Sequence, residues 1–291
     1  MNFVASLNNY ISLTKPTIVM SFAITGLTAM VVEGSLLQEP FKFFFIVLAI
    51  VFTAASANAF NQYFERDLDA QMERTRNRRP LPQNKIKPSH ALIFSILIGF
   101  IAVFYLSFWV NFLSAAVALG TIVFYAFFYT LWLKPRTPYN IVIGGAAGAT
   151  APLIGWAAAT NHVSFTAWLM FLIIFMWTPP HFWALALCVK DQYAKAGIPM
   201  LPVVKGDERT RTEIFWYSLI MVPLTLSLVL LGEVSWIYSL VAFALGLLFV
   251  QKAWVVKTQK TQKAAYSLFG FSIAYLMILF LVMIIDSKIL H

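Results

Sequence analysis

Nine stretches of this chain are almost wholly apolar: 16–33, 43–64, 91–109, 112–132, 139–159, 165–188, 214–232, 234–253 and 267–286. Each is close to the roughly 20 residues that a helix needs to cross about 30 Å of hydrocarbon, so the pattern predicts nine membrane-spanning helices. Very short turns at Asn111 and Glu233 join two of the neighbouring pairs. The expected fold class is therefore all-α: a polytopic membrane protein built as one helical bundle, a single domain over residues 1–291.

Polar residues fall between these runs, and their sign is uneven. With the N-terminus placed in the cytoplasm, 19 of the 21 Lys and Arg residues lie on the inner side, and only Lys42 and Lys288 lie outside. Inner loops rich in Lys and Arg are the usual topology signal, so a cytoplasmic N-terminus and an external C-terminus are expected. The short N-terminus carries one cation and no small-residue cleavage site before its first apolar run, which reads as a retained helix. Composition agrees: 60% hydrophobic residues, 11% charged and 27 phenylalanines are too apolar for a soluble domain. The net charge of +9 is then explained by topology and by contact with the lipid bilayer, not by nucleic acid. A single cysteine, Cys188, leaves no disulfide framework and reads as an inert membrane-helix residue.

Topology does not call for acids, yet eight of the twelve lie on the same side as the cations, in two loops. Glu65, Asp67, Asp69 and Glu73 follow the second run, and Asp191, Asp207, Glu208 and Glu213 follow the sixth. Because the loops are four helices apart, the spacing suggests two parallel four-helix repeats, about 16–132 and 139–253, with a ninth helix at 267–286.

In "NQYFERDLDAQMERTRNRRP" (61–80), a helix continuing past the membrane surface would stack Asn61, Glu65 and Asp69 on one face. Successive members advance by about 40°, within about 12 Å of axis, and Asp67 points elsewhere. Stacked carboxylates repel unless a cation sits between them. Magnesium takes one or two carboxylates and completes its shell with water and substrate phosphate oxygens, and the arginines that follow suit phosphate. The alternative is a solvated helix end whose acids pair with Arg66, Arg74 and Arg76. The recurrence of Lys190, Asp191 and Lys195 at the same membrane face weighs against it.

The 61–80 stretch resembles the first aspartate-rich motif, N-x-x-x-D-x-x-x-D, of the UbiA superfamily of intramembrane prenyltransferases. "LTKPTIVM" (13–20), "YTLWLKPRTPYNIVIGGAAGATAPLIGW" (129–156) and "WTPPHFWALALCVKDQYAKAGIPMLPVVKG" (177–206) are similar to its protoheme IX farnesyltransferase, or haem O synthase, branch. The resemblance implies a UbiA-like bundle in the bacterial inner membrane and Mg²⁺ as cofactor. The implied substrates are haem b and farnesyl diphosphate, joined with water to give haem O. Haem A synthase or terminal oxidase assembly factors are implied as candidate partners.

Carried onto this sequence, the motif assigns Asn61, Glu65 and Asp69 to metal and diphosphate. Glu65 stands where the pattern has aspartate and is one methylene longer. The second motif reads Asp191 then Lys195, so Asp191 is implied as a fourth catalytic and metal-binding residue, while the motif's other metal ligand is replaced by a cation. The implied diphosphate-binding cations are Lys15, Arg66, Arg74, Arg78, Arg79, Lys134, Arg136, Lys190 and Lys195, with either Arg78 or Arg79 in the role of the motif's second arginine.

His181 is the only histidine that falls inside an apolar run, and a polar side chain there is a functional candidate by default. Ten residues of regular helix would place it about 15 Å from Asp191, a spacing suited to contact with haem. The competing reading is a hydrogen bond to a carbonyl freed by Pro179 and Pro180. His90 reads as a cytoplasmic loop residue, His162 as an outer one, and His291 is the terminus. The glycines of 144–156 read as tight helix packing, and 207–213 as the charged start of the seventh helix. Two further functions stay open: a UbiA-type enzyme for another acceptor such as a quinone precursor, and a transporter, which the scarcity of deep polar residues disfavours.

Overall fold

The computed structural model describes residues 3–290, with side-chain surroundings given for 7–287; His291 and the Lys288 side chain lie outside the described residues. Among the described residues there are nine helices long and apolar enough to span a membrane. They run Pro16–Glu33, Pro40–Phe64, Pro88–Val110, Phe112–Leu133, Asn140–Thr160, Phe165–Cys188, Gly206–Leu231, Trp236–Gln259 and Gln262–Ser287. A further helix, Phe3–Thr14, leads into the first.

The boundaries follow local chemistry. Proline opens each of the first three spanning helices, where its missing N–H costs nothing and its φ is already helical. Asn111 makes the short turn between the third and fourth helices by accepting from the Ser114 N–H, and Ser164 caps the sixth in the same way. The third helix starts at Pro88, so exposed His90 belongs to a helical first turn and not to a loop. The seventh starts at Gly206, which carries the charged 207–213 segment onto its opening turns.

Two large apolar clusters, with two smaller ones beside them, form the interior. One joins the first five helices around Met30, Ile46, Ile50, Leu106 and Ile154. The other joins the sixth to ninth around Trp183, Tyr238, Phe249, Tyr275 and Phe280, and the first and fifth helices contribute to both. Several buried hydroxyls are satisfied within their own helices: Thr53, Ser95, Ser218 and Thr225 each donate to the carbonyl four residues back. Large apolar side chains such as Phe41, Phe108, Trp236 and Leu230 face outward, as a lipid-facing surface requires.

The small residues of the fifth helix are packing positions. A Cβ on Gly155 would lie 2.5 Å from the Gly26 carbonyl oxygen of the first helix, and one on Gly148 would meet nothing within 4 Å. Overpacking of this kind costs about 1–3 kcal/mol. Gly155→Ala should therefore lower the melting temperature in detergent and Gly148→Ala should not; equal melting would show that the first and fifth helices do not need this close approach.

One end of the bundle gathers the polar segments. Gln192, just after the sixth helix, accepts from the Arg74 N–H at 3.2 Å. Glu208 of the seventh helix pairs with Lys260, which follows the eighth.

Candidate active site

The candidate site begins where the second helix leaves its apolar span. The backbone bends at Glu65, with φ −90° and ψ 5°, but the hydrogen-bond ladder continues: Glu65 N–H donates to Asn61 O at 2.9 Å and Asp69 N–H to Glu65 O at 2.7 Å. The expected face therefore forms. Asn61, Glu65 and Asp69 are 2%, 5% and 2% exposed, whereas the Asp67 side chain is 85% exposed and lies 3.8 Å from Arg66.

Three cations from three other segments meet these side chains. Lys134, just past the fourth helix, pairs with Glu65. Arg79 pairs with Asp69 and lies 3.6 Å from Glu65. Lys15, at the junction before the first helix, donates from Nζ to Asn61 Oδ1 at 2.6 Å. The Asn61 amide is oriented by a second bond, from Nδ2 to Thr130 Oγ1 at 3.0 Å.

Local structure explains why these cations arrive and others do not. Thr75 is the pivot of the arginine segment: its hydroxyl donates to Asp69 O at 2.9 Å, and its carbonyl accepts the Arg79 N–H at 2.9 Å. The chain is thereby folded back so that Arg79 returns to the cluster while Arg78 points to solvent. Lys15 sits in the left-handed region with φ 56°, and Gln62 holds the preceding carbonyls of Ser12 and Leu13 at 2.9 and 3.0 Å. The fourth helix widens to five-residue hydrogen bonding over Phe124–Leu133, a form frequent at functional sites; the Lys134 N–H consequently donates to Tyr129 O.

Burial would raise the Glu65 pKa, but Lys134, Arg79 and Lys15 outweigh it and hold the carboxyl at about 2. Asp69 is pushed up by burial and by the Glu65 charge, against the pull of Arg79. Lys15 is held well below its usual value by burial and by repulsion from Arg79. Asp69 thus gains from added positive charge and Lys15 from a neighbouring anion, whereas Glu65 is already held ionised. Hard oxygen donors in this state suit a divalent cation, and the lysines and arginine around them suit a phosphate.

The remaining predicted residues are not in the cluster. Asp191 and Lys195 are exposed on the short helix Lys190–Lys195, and no set of three His, Cys, Asp or Glu side chains converges for a metal among the described residues. Lys190 pairs with Asp207 at 2.9 Å. Arg66 donates to Tyr63 O and covers its ring, and Arg136 covers Trp132 while donating to its carbonyl. Arg74 is partly buried beside Gln192.

His181 is 7% exposed, with Nδ1 2.6 Å from Ser272 Oγ of the ninth helix. The carbonyl partner considered from sequence is replaced by a hydroxyl of another helix, and the sixth helix stays continuous through both prolines. It ends at Cys188 and turns at Val189, so the regular-helix spacing to Asp191 does not hold.

Sequence reading missed Thr130 and Gln62. Thr130 has one signal, a threonine four residues before Lys134 in an aromatic run; Gln62 has only its polarity beside Asn61 inside a helix. Two open grooves, one at Arg209, Glu213 and Trp216 and one at Lys252 and Ser267, share no residue with the cluster.

Residues 20–282 match the model of the UbiA prenyltransferase family. The chain is 49% identical to a protoheme IX farnesyltransferase of Gloeobacter violaceus, over 97% of this chain and 93% of that protein. It is 45% identical to that of Picosynechococcus sp., over 98% and 90%. Among solved structures, a digeranylgeranylglyceryl phosphate synthase superposes with a TM-score of 0.79 at 19% identity, covering 97% of this chain and 98% of that one. A UbiA homolog from Archaeoglobus fulgidus bound to DMAPP and Mg²⁺ gives 0.69 at 18%, covering 94% and 99%. With the family model spanning most of the chain and relatives near half identity over its whole length, this protein belongs to the UbiA prenyltransferase family, among its protoheme IX farnesyltransferases.

Proposed function

We propose that this chain transfers the farnesyl group of farnesyl diphosphate to haem b, with addition of water, giving haem O and diphosphate. The observation that carries the reading is the buried cluster of Asn61, Glu65 and Asp69 facing Lys15, Arg79 and Lys134 at the polar end of an apolar bundle. It has the same construction as the donor, a charged head on a greasy tail. The near-half identity to protoheme IX farnesyltransferases supports haem over a quinone precursor as acceptor.

Asn61, Glu65 and Asp69 would hold Mg²⁺, and the ion would supply charge stabilisation on the leaving oxygens. Arg79, Lys134 and Lys15, now engaged by those side chains, would turn their N–H groups to the same oxygens. Thr130 keeps the Asn61 amide oriented. Lys190, Lys195, Arg66, Arg74, Arg78 and Arg136 would form an outer rim whose positive charge attracts and orients the diphosphate, and the Asp191 carboxylate would add an oxygen donor for the metal. In the reaction the farnesyl C1–O bond breaks, diphosphate leaves with the electron pair, and the haem vinyl π electrons form the new bond to C1. Water then adds to the resulting cation and loses a proton. The apolar bundle excludes stray water from that cation, and aromatic faces stabilise it.

His181 would contact the haem. The bacterial inner membrane, with the cluster on the cytoplasmic side, is the setting that the distribution of cations supports.

The test is incubation of purified protein with haem b, farnesyl diphosphate and Mg²⁺, with an EDTA control, followed by mass spectrometry of the haem. A gain of one farnesyl group plus water, only with metal, is expected. Unchanged haem from protein that still prenylates another acceptor would reject the haem reading. Asp67→Asn should turn over within about twofold of the parent, since exposed single substitutions rarely matter; complete loss would mean that Asp67 takes part in the site.

A further inference from the structure

Ser272 is fully buried on the ninth helix, and its hydroxyl has two short neighbours: Phe269 O at 2.7 Å and His181 Nδ1 at 2.6 Å. A hydroxyl has one proton to give and two lone pairs with which to accept. A carbonyl oxygen has no proton, so an O···O separation of 2.7 Å places the serine proton on that line. The second contact then needs a proton from the histidine, and Nδ1–H donates into a serine lone pair. A neutral imidazole carries one N–H, which leaves the lone pair on Nε2. Among the described residues Nε2 has no hydrogen-bond partner, and it is not sealed off by the surrounding side chains.

The ring is fixed in the other dimensions as well. It stacks on Trp177 at 4.3 Å and on Phe269 at 4.6 Å between centroids, and the Trp177 Nε1–H donates to Ser272 O at 2.8 Å. One turn of the ninth helix, Phe269 to Ser272, thus supplies the stacking face, the acceptor hydroxyl and the carbonyl that locks the tryptophan. Metal-binding histidines are typically held this way, with the other ring nitrogen donating to a fixed acceptor that sets the tautomer.

We propose that Ser272 is a positioning residue that holds His181 in the Nδ1–H tautomer and so presents its Nε2 lone pair to the iron of the haem substrate. The proposal rests on the reading of haem as acceptor. It is tested on the purified protein in detergent by ¹⁵N NMR of its histidines, using His181→Gln to assign the signal, and by optical titration with haem b. The expected result is a protonated Nδ1 and bare Nε2 in the parent. In Ser272→Ala this preference is lost and haem affinity falls about tenfold or more; Ser272→Thr, which keeps the hydroxyl, restores both.

A parent protein with the proton on Nε2 would overturn the proposal. So would a Ser272→Ala protein that binds haem as tightly as the parent and turns it over normally. A merely structural serine would lower the melting temperature of Ser272→Ala without moving the tautomer, which also overturns it. A parent that neither binds nor farnesylates haem would remove the proposed function itself, an outcome visible without any variant.

Discussion

Asp69→Asn is expected to lower prenyl transfer by about a thousandfold while the protein stays folded and inserted. Loss of one group that stabilises developing charge typically costs about 10²–10³ in rate, and Asp69 is both a proposed metal ligand and the partner that holds Arg79. Asparagine keeps the volume, and Arg79 retains Glu65 at 3.6 Å, so the buried guanidinium is not left alone. The side chain belongs to none of the apolar clusters that hold the helices together. Turnover measured by mass spectrometry, beside a melting curve in detergent, separates chemistry from stability. Asn61→Ala should behave alike, because it removes the acceptor of Lys15 and the bond to Thr130. Normal turnover in both would dismiss the metal and diphosphate assignment.

The second large effect is a contrast between neighbours. Arg79→Gln should reduce transfer by about 10²–10³, whereas Arg78→Gln should stay within about twofold, as exposed substitutions do. Removing one partner of a buried ion pair also costs stability, about 3–5 kcal/mol when the pair is fully enclosed. The Arg79 side chain is 16% exposed, so the cost should fall below that range, and a moderately lower melting temperature is expected with the loss of activity. Arg79→Lys keeps the charge but loses the planar fork and should recover only part of the rate. Equal losses at 78 and 79 would mean that both arginines reach the substrate.

The architecture was legible because the membrane makes it so. Every backbone group in hydrocarbon must be paired within its own helix, so hydropathy alone placed all nine spans to within a few residues, except where charged turns extend the seventh to ninth helices inward. The Asn61–Glu65–Asp69 face was legible for a similar reason, since one helical period relates its three members. The Arg78 and Arg79 ambiguity was not, because it turns on how Thr75 folds the segment back, a tertiary detail with no periodic signature. Thr130 was hidden by the widened turn, and the His181 partner lies 91 residues away, beyond any local rule. Asp191 and Lys195 show the converse: a motif-like spacing marks them, yet in this structure both are exposed and neither pairs with the buried acids and cations.

The left-handed Lys15 bears on how the protein can be handled. That conformation costs a non-glycine residue roughly 1–2 kcal/mol, and it persists because Gln62 grips the end of the leading helix through Ser12 and Leu13. The leading helix is therefore a splint for the site, although it lies outside every spanning segment. Trimming residues 3–14 to tidy a crystallisation target would free Lys15 to relax into water and take one cation from the cluster. A bulky purification handle at that end risks the same harm. For fusion and immobilisation, the loop at Asn161 and His162, exposed at the opposite end of the fifth helix, is the safer point of attachment.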